Sequence, residues 1–250
     1  TGGAGFIGSH LADALLRRGD RVTVLDDLST GSRENIHHLH DHPDFEFVLG
    51  TILDADVVDT LVSRCEKVFH LAAAVGVKYI IENPLTSLRI NIKGTELVLE
   101  AANRHKRKVL LASTSEIYGK NEKKRLSEND DRILGSTSIS RWGYSCTKAV
   151  DEFLALAYWR EKKLPVVTVR FFNTCGPRQT GEYGMVIPRF VKAALLGHPL
   201  YVYGDGKQIR CFSFVDDIVE GTLALAEHPK AEGEIFNLGS TEPVTIDELA

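Results

Sequence analysis

Short apolar runs alternate with helix-length amphipathic segments along the first two thirds of the chain. The runs at 21–25, 45–49, 67–71, 108–112 and 166–170 include near-continuous apolar stretches, Val109-Leu110-Leu111 and Val166-Val167 among them, as in strands covered on both faces. Between them, residues 9–18 place Leu11 and Leu15 four apart ahead of a Gly19 stop, and further helical segments span 54–65, 85–105 and 144–163. Strand–helix alternation predicts parallel βαβ units, hence an α/β chain with a doubly wound parallel sheet of Rossmann type. After Cys175 the elements shorten. A helix at 187–196, a strand at 201–203, a Gly204-Asp205-Gly206 turn and a strand–helix unit at 211–227 predict a smaller C-terminal lobe, packed on the sheet with a cleft between.

Composition narrows the class. At 250 residues, 43% hydrophobic and 26% charged with a net charge of −4, the chain is an ordinary globular protein, which excludes disorder and argues against nonspecific binding to nucleic acid or anionic membranes. The basic triplets Lys106-Arg107-Lys108 and Lys123-Lys124-Arg125 read as solvated turns. No apolar run approaches the ~20 residues that span a bilayer. Cys65, Cys146, Cys175 and Cys211 are scattered without a CxxC pair, so no disulfide framework is expected and the compartment reads as cytoplasmic.

Candidate chemistry begins at the first residue. Thr1-Gly2-Gly3-Ala4-Gly5-Phe6-Ile7-Gly8 runs straight into a helix. Glycines at this spacing permit a tight turn and a close backbone approach to a pyrophosphate, with the helix N-terminus supplying N–H donors. Asp26 ends the next strand 18 residues beyond Gly8, where a carboxylate accepts from ribose hydroxyls, which favours NAD over NADP although Arg33 lies downstream. A glycine loop of this kind normally follows a strand, and residues 245–250 read as the first turn of a helix, so the sequence reads as a fragment lacking its first strand and its C-terminal end.

Tyr144 and Lys148 stand at i and i+4, on one helical face. A lysine ammonium beside a phenol stabilises the phenolate and is expected to lower its pKa, making Tyr144 a base for a sugar hydroxyl. The strand at 108–112 runs into Ser113-Thr114-Ser115-Glu116-Ile117-Tyr118-Gly119, placing hydroxyls beyond a strand's carboxyl end, where parallel sheets gather their catalytic groups.

Thr1–Gly8, His70-Leu71-Ala72-Ala73, Asn91 before Gly94-Thr95, Ser113–Gly119, Tyr144 with Lys148, and Arg170-Phe171-Phe172-Asn173 leading to Gly176-Pro177-Arg178 together resemble the extended short-chain dehydrogenases/reductases, in their nucleotide-sugar epimerase/dehydratase/decarboxylase branch. The resemblance covers essentially the whole chain. It implies an NAD-binding domain at 1–174 and a substrate-binding lobe at 175–250 whose chain crosses back to the sheet. It implies cofactor contacts at Gly2, Gly5, Phe6, Ile7, Gly8, Asp26, Thr51, Ile52, Leu71, Ala72 and Ala73, and at Tyr144 and Lys148. It further implies that Tyr144 takes the proton of the sugar 4-hydroxyl, that Thr114 shares its hydrogen bond and that Lys148 holds the nicotinamide ribose, with Glu116 completing the catalytic set. Ser115, Glu116, Asn173, Arg178 and Arg210 are the implied sugar-nucleotide contacts.

Within the branch, Ser115 stands where dTDP-sugar dehydratases carry Asp, and Glu116 sets the chain apart from simple galactose-type epimerases. Thr-Ser-Glu is similar to both UDP-glucuronate decarboxylases and GDP-mannose dehydratases. The 173–178 and 204–210 segments, with Arg210 toward a sugar carboxylate, and Arg141-Trp142 ahead of Tyr144 resemble the decarboxylases. UDP-glucuronate decarboxylation is therefore the leading expectation, with nucleotide-sugar 4-epimerisation, GDP-mannose-type 4,6-dehydration and a non-catalytic dinucleotide-binding role as alternatives. Two departures stand out. Thr51 occupies a position where many relatives carry an adenine-binding Asp, and the 73–78 loop differs from the decarboxylase pattern. The resemblance also implies a homodimer through the helices at 85–105 and 144–163. His37, His38, His40 and His42 read as a solvated turn rather than a metal site, Cys175 as a small buried residue, and Tyr118 and Trp142 as core or cleft aromatics.

Overall fold

In the computed structural model, residues 1–181 and 185–250 are described, without the side chains of Val77 and Lys78. The elements in chain order are α1 (Phe6–Arg17), β1 (Val22–Asp26), β2 (Phe45–Leu49), α2 (Ala55–Ser63), β3 (Lys67–His70), α3 (Val77–Glu82), α4 (Pro84–His105), β4 (Lys108–Thr114), α5 (Trp142–Lys162), β5 (Val166–Phe171), β6 (Thr174–Cys175), α6 (Val186–Leu195), β7 (Ile209–Cys211), β8 (Ser213–Phe214), α7 (Val215–Glu227), β9 (Ile235–Leu238), β10 (Pro243–Thr245) and α8 (Ile246–Leu249).

The parallel sheet forms in two parts. β1 pairs with β2, and β3, β4, β5 and β9 form a four-stranded parallel ladder in that order. Thr1 and Gly2 bridge the two parts: the Thr1 amine donates to Phe69 O at 2.9 Å, Leu71 N donates to Thr1 O at 3.2 Å, and Gly2 N donates to Leu25 O at 2.9 Å. Alternate side chains of one strand serve opposite faces. Val109 and Leu111 of β4 join Val58, Val98, Leu99 and Leu164 under α2, α4 and α5, whereas Leu110 joins Val167, Val169 and Ala226 on the other face. A third cluster packs Leu11, Leu15 and Leu16 of α1 against Val24 and against Val215 and Val219 of α7.

Helix boundaries follow local chemistry. α1 starts at Phe6, three residues before the expected Ser9, because the glycine loop winds directly into its first turn. α4 begins with Pro84, whose missing N–H costs nothing at a helix start, and ends where Lys106 turns left-handed at φ 55°. Thr245 and Glu248 form a reciprocal capping box that starts α8.

Two expectations fail locally. Residues 201–203 form no strand; there Tyr203 receives a hydrogen bond from Arg189 at 2.7 Å, and its carbonyl accepts from Gln208 Nε2 at 3.0 Å. The 73–78 segment is not wholly loop, since α3 begins at Val77 after Gly76 turns at φ 95°. The Val77 and Lys78 side chains lie outside the described residues. β7 instead pairs antiparallel with β10, and β6 pairs with β8, so these short ladders and α6 wall the cleft while α7 and β9 return to the main layer.

Candidate active site

One cleft of about 1010 Å³ runs from the glycine loop to α6 and β7. Its cofactor-side wall is built from backbone. Gly2 has φ 74°, and a Cβ there would stand 2.6 Å from Ala72 N; at Gly8 a Cβ would press on the loop's own backbone, 2.8 Å from Gly3 Cα. The loop therefore closes only with glycine at both positions. α1 has Gly5 at its N-cap and no side-chain cap, and among the described residues its Phe6 and Ile7 amides have no partner. Unpaired first-turn amides at a helix N-terminus form an anion-binding cradle. Beside it, Asp26 is 8% exposed, with Oδ2 accepting from Ala4 N and Oδ1 from Leu28 N, both at 2.9 Å. Each oxygen keeps a second lone pair for a ribose hydroxyl. This donor and acceptor set fits NAD. Arg33 lies over the Phe47 ring, 5.4 Å from its centroid, and is outside the cleft lining.

Gly2, Gly5, Phe6, Ile7, Gly8, Asp26, Ile52, Leu71, Ala72 and Ala73 all line the cleft. Thr51 does not: its hydroxyl accepts from Leu53 N at 3.3 Å in the turn leading to α2.

The chemical end gathers Thr114, Ser115 and Glu116 at the end of β4, Tyr144 and Lys148 on α5, Asn173 before β6, and Arg178 and Arg210 from the opposite wall. Thr114 both caps the turn at 115–118 through Glu116 N, at 3.2 Å, and hydrogen-bonds the Tyr144 phenol. Glu116 lies 3.7 Å from the Arg141 guanidinium.

The expected lowering of the Tyr144 pKa is not what the geometry produces. Burial holds the phenol above its ordinary range; the Thr114 hydrogen bond pulls it down, while the charges of Glu116 and Asp151 push it up. Burial is the first cause, and the Lys148 ammonium expected to act on the phenol is paired with the Asp151 carboxylate at 2.8 Å.

The two arginines differ. Arg178 Nη2 donates to Asp13 of α1 at 2.8 Å, and Nη1 is buried with no partner among the described residues. Arg210 donates only to the carbonyl of Ile209, at 2.7 Å, so its charge has no carboxylate among the described residues. Asn173 ties the cleft floor to Cys211 O at 3.1 Å.

Tyr118 is a core residue, 1% exposed, in a buried network. Its hydroxyl donates to Asn237 Oδ1 at 2.6 Å and accepts from Arg170 at 2.7 Å; Arg170 in turn forms a two-point pair with Glu152, which accepts from Ser113. Cys175 is half-buried and its thiol is raised by burial, and the described residues hold no three-residue metal cluster at the histidine-rich turn. Sequence reasoning missed Asp151 and the Arg189–Tyr203 pair. The Asp151 signal was present in its i, i+3 spacing from Lys148 on a face that is otherwise buried. No helix among the described residues is long and apolar enough to cross a membrane.

Comparison with known proteins gives a consistent picture. A model of the NAD dependent epimerase/dehydratase family matches residues 1–239. The chain is 46% identical over 251 residues to a UDP-N-acetyl-alpha-D-glucosaminuronate decarboxylase of Bacillus cytotoxicus, covering all of this chain and 77% of the relative. It is 39% identical to UDP-glucuronic acid decarboxylase 1 of Arabidopsis thaliana, and there spans 56% of the relative's length. The UDP-glucuronic acid 4-epimerase of Bacillus cereus, solved with UDP-glucuronic acid and NAD, superposes with a TM-score of 0.89 at 33% identity, over 99% of this chain and 79% of that one.

Proposed function

The chain belongs to the NAD dependent epimerase/dehydratase family, and from that premise we propose that it decarboxylates a UDP-hexuronate, UDP-glucuronate or its 2-acetamido counterpart. The observation that carries this reading is Arg210, a guanidinium without a carboxylate partner among the described residues, in the same cleft as Thr114, Tyr144, Lys148 and Glu116. The names of the two decarboxylase relatives support it.

The cofactor is NAD, which when bound supplies a hydride acceptor and donor for the sugar C4. The first-turn amides of Phe6 and Ile7, the Gly2–Gly8 loop and Asp26 would hold it. Tyr144 accepts the proton of the 4-hydroxyl, with Thr114 orienting the shared hydrogen bond and Lys148 holding the nicotinamide ribose. A C4 ketone stands β to the C5 carboxylate, so the C5–C6 bond breaks with release of CO₂ and its electron pair passes into the C4–C5 enolate. That step needs positioning and a proton more than covalent help. Arg210 and Ser115 orient the sugar, Asn173 and Arg178 complete the substrate wall, and Glu116 returns a proton at C5. In this assignment residues 1–174 carry the cofactor site and lend Ser115, Glu116 and Asn173 to the sugar, and 175–250 form the substrate lobe, in a cytoplasmic homodimer.

4-Epimerisation shares every step up to the ketone, and the likeness to the Bacillus cereus epimerase keeps it as the second reading. NMR of the protein with NAD and each UDP-hexuronate separates them. A UDP-pentose with CO₂ is expected; a UDP-hexuronate epimer with the carboxylate retained assigns the epimerase. Tyr144→Phe is expected to lower kcat by about 10²–10⁴-fold, the usual worth of a positioned base.

A further inference from the structure

Lys148 and Asp151 form an ion pair inside the protein, their side chains 3% and 0% exposed. Only one carboxylate oxygen is used: Oδ2 accepts from Lys148, whereas Oδ1 is buried without a hydrogen bond among the described residues. An apolar residue of similar volume is often as good or better for stability at such a place, so a half-satisfied buried carboxylate points to a role other than holding the fold.

The surroundings form a line of polar groups toward the cofactor side of the cleft. The Thr95 hydroxyl of α4 faces Asp151 and is 3.1 Å from His70 Nε2. His70 Nδ1 is 2.8 Å from the Thr1 hydroxyl, which accepts from Ala72 N at 3.3 Å. Among the described residues the neighbouring charged and polar groups have partners of their own, the Thr1 amine donating to Phe69 O. On α5, Glu152 is bound to Arg170 of β5 and to Ser113 of β4. β3 contributes His70, which burial, the Lys148 ammonium and the Thr1 amine keep neutral. α4 contributes Asn91, bonded to Thr147 and Ala74. Beyond β4, Glu116 faces the phenol and Arg141 faces Glu116.

We propose that Asp151 is a positioning residue for the reaction: it anchors the Lys148 ammonium from beneath the cleft, and its charge sets the field which that lysine exerts on the Tyr144 phenol. This rests on Tyr144 being the base, not on which sugar is used. With Asp151 ionised the pair is electrically balanced, and the phenolate that accepts the 4-hydroxyl proton is populated only at higher pH. With Asp151 neutral, the uncompensated ammonium favours phenolate and Tyr144 ionises at lower pH.

The test is a titration of the NAD-bound protein labelled at tyrosine Cζ, followed by carbon NMR, with the Tyr144 signal assigned by its loss in Tyr144→Phe. Asp151→Asn preserves shape and Asp151→Val removes polarity. Both are expected to lower the Tyr144 midpoint by about one pH unit, a tenfold gain in phenolate at fixed pH. In a Lys148→Met background the Asp151→Asn shift is expected to shrink to less than half. An unmoved or raised midpoint in the variants overturns the proposal, as does an equal shift with and without Lys148. The phenol titrates whether or not a UDP-hexuronate is turned over, so failure of the substrate assignment is separately visible.

Discussion

A histidine buried between two hydroxyls gains a proton only at high cost. His70, 1% exposed between Thr1 and Thr95, is held well below its ordinary value of 6.5, first by burial and then by the Lys148 ammonium. Below pH 6.5 the unfolded chain binds a proton at this residue that the folded chain refuses. Stability therefore rises with pH toward 6.5 and falls as pH drops beneath it, by up to about 1.4 kcal/mol per unit. Denaturant unfolding between pH 7 and 5.5 should show a shallower loss for His70→Asn than for the parent, and equal slopes would contradict a neutral buried imidazole. At this scale the sequence was partly legible. Thr114, Tyr144 and Lys148 came out through spacing and motif because helical geometry is local. Asp151 did not, because what makes it matter is its burial beside Lys148 and the lack of a partner for Oδ1 among the described residues, both products of packing between α4 and α5.

Among the elements, the glycine loop and α1 are the most tightly specified by residue type. A methyl group at Gly8 has no rotamer with which to escape, since what it meets is the backbone of Gly2 and Gly3. Gly8→Ala should destabilise the fold by about 1–3 kcal/mol, the range for overpacking, and weaken NAD binding through displaced first-turn amides. Calorimetry of folding and of NAD binding measures both, and parental affinity in the variant would show that the cradle is more pliant than its geometry. The main strands and helices were readable because each is a continuous periodic segment. The short ladders were not. β7 pairs with β10, more than thirty residues away, and a three-residue strand has too little pattern to announce itself, whereas Tyr201-Val202-Tyr203 has the composition of a strand but no strand partner among the described residues.

For the whole molecule, one surface remains to be explained by assembly. Leu85 and Leu88 of α4 and Val150 and Phe153 of α5 are exposed large apolar side chains, with Leu85 at 70% and Phe153 at 67%. Paired helices offering such a face support the proposed homodimer. Sedimentation at micromolar concentration should show a dimer that Phe153→Asp converts to monomer, and a monomeric parent would remove the proposal. The sequence by itself determined the α/β class, the order of the main elements, the glycine loop and the Tyr144–Lys148 spacing, because those follow from periodicities and spacings within one segment. Only the tertiary structure decided which groups neutralise one another. Lys148 is matched by Asp151, Arg178 is engaged by Asp13 from the far end of the chain, and Arg210 is left without a carboxylate among the described residues. Charge balance in a cleft depends on distance and burial, and both are fixed by packing between segments far apart in sequence.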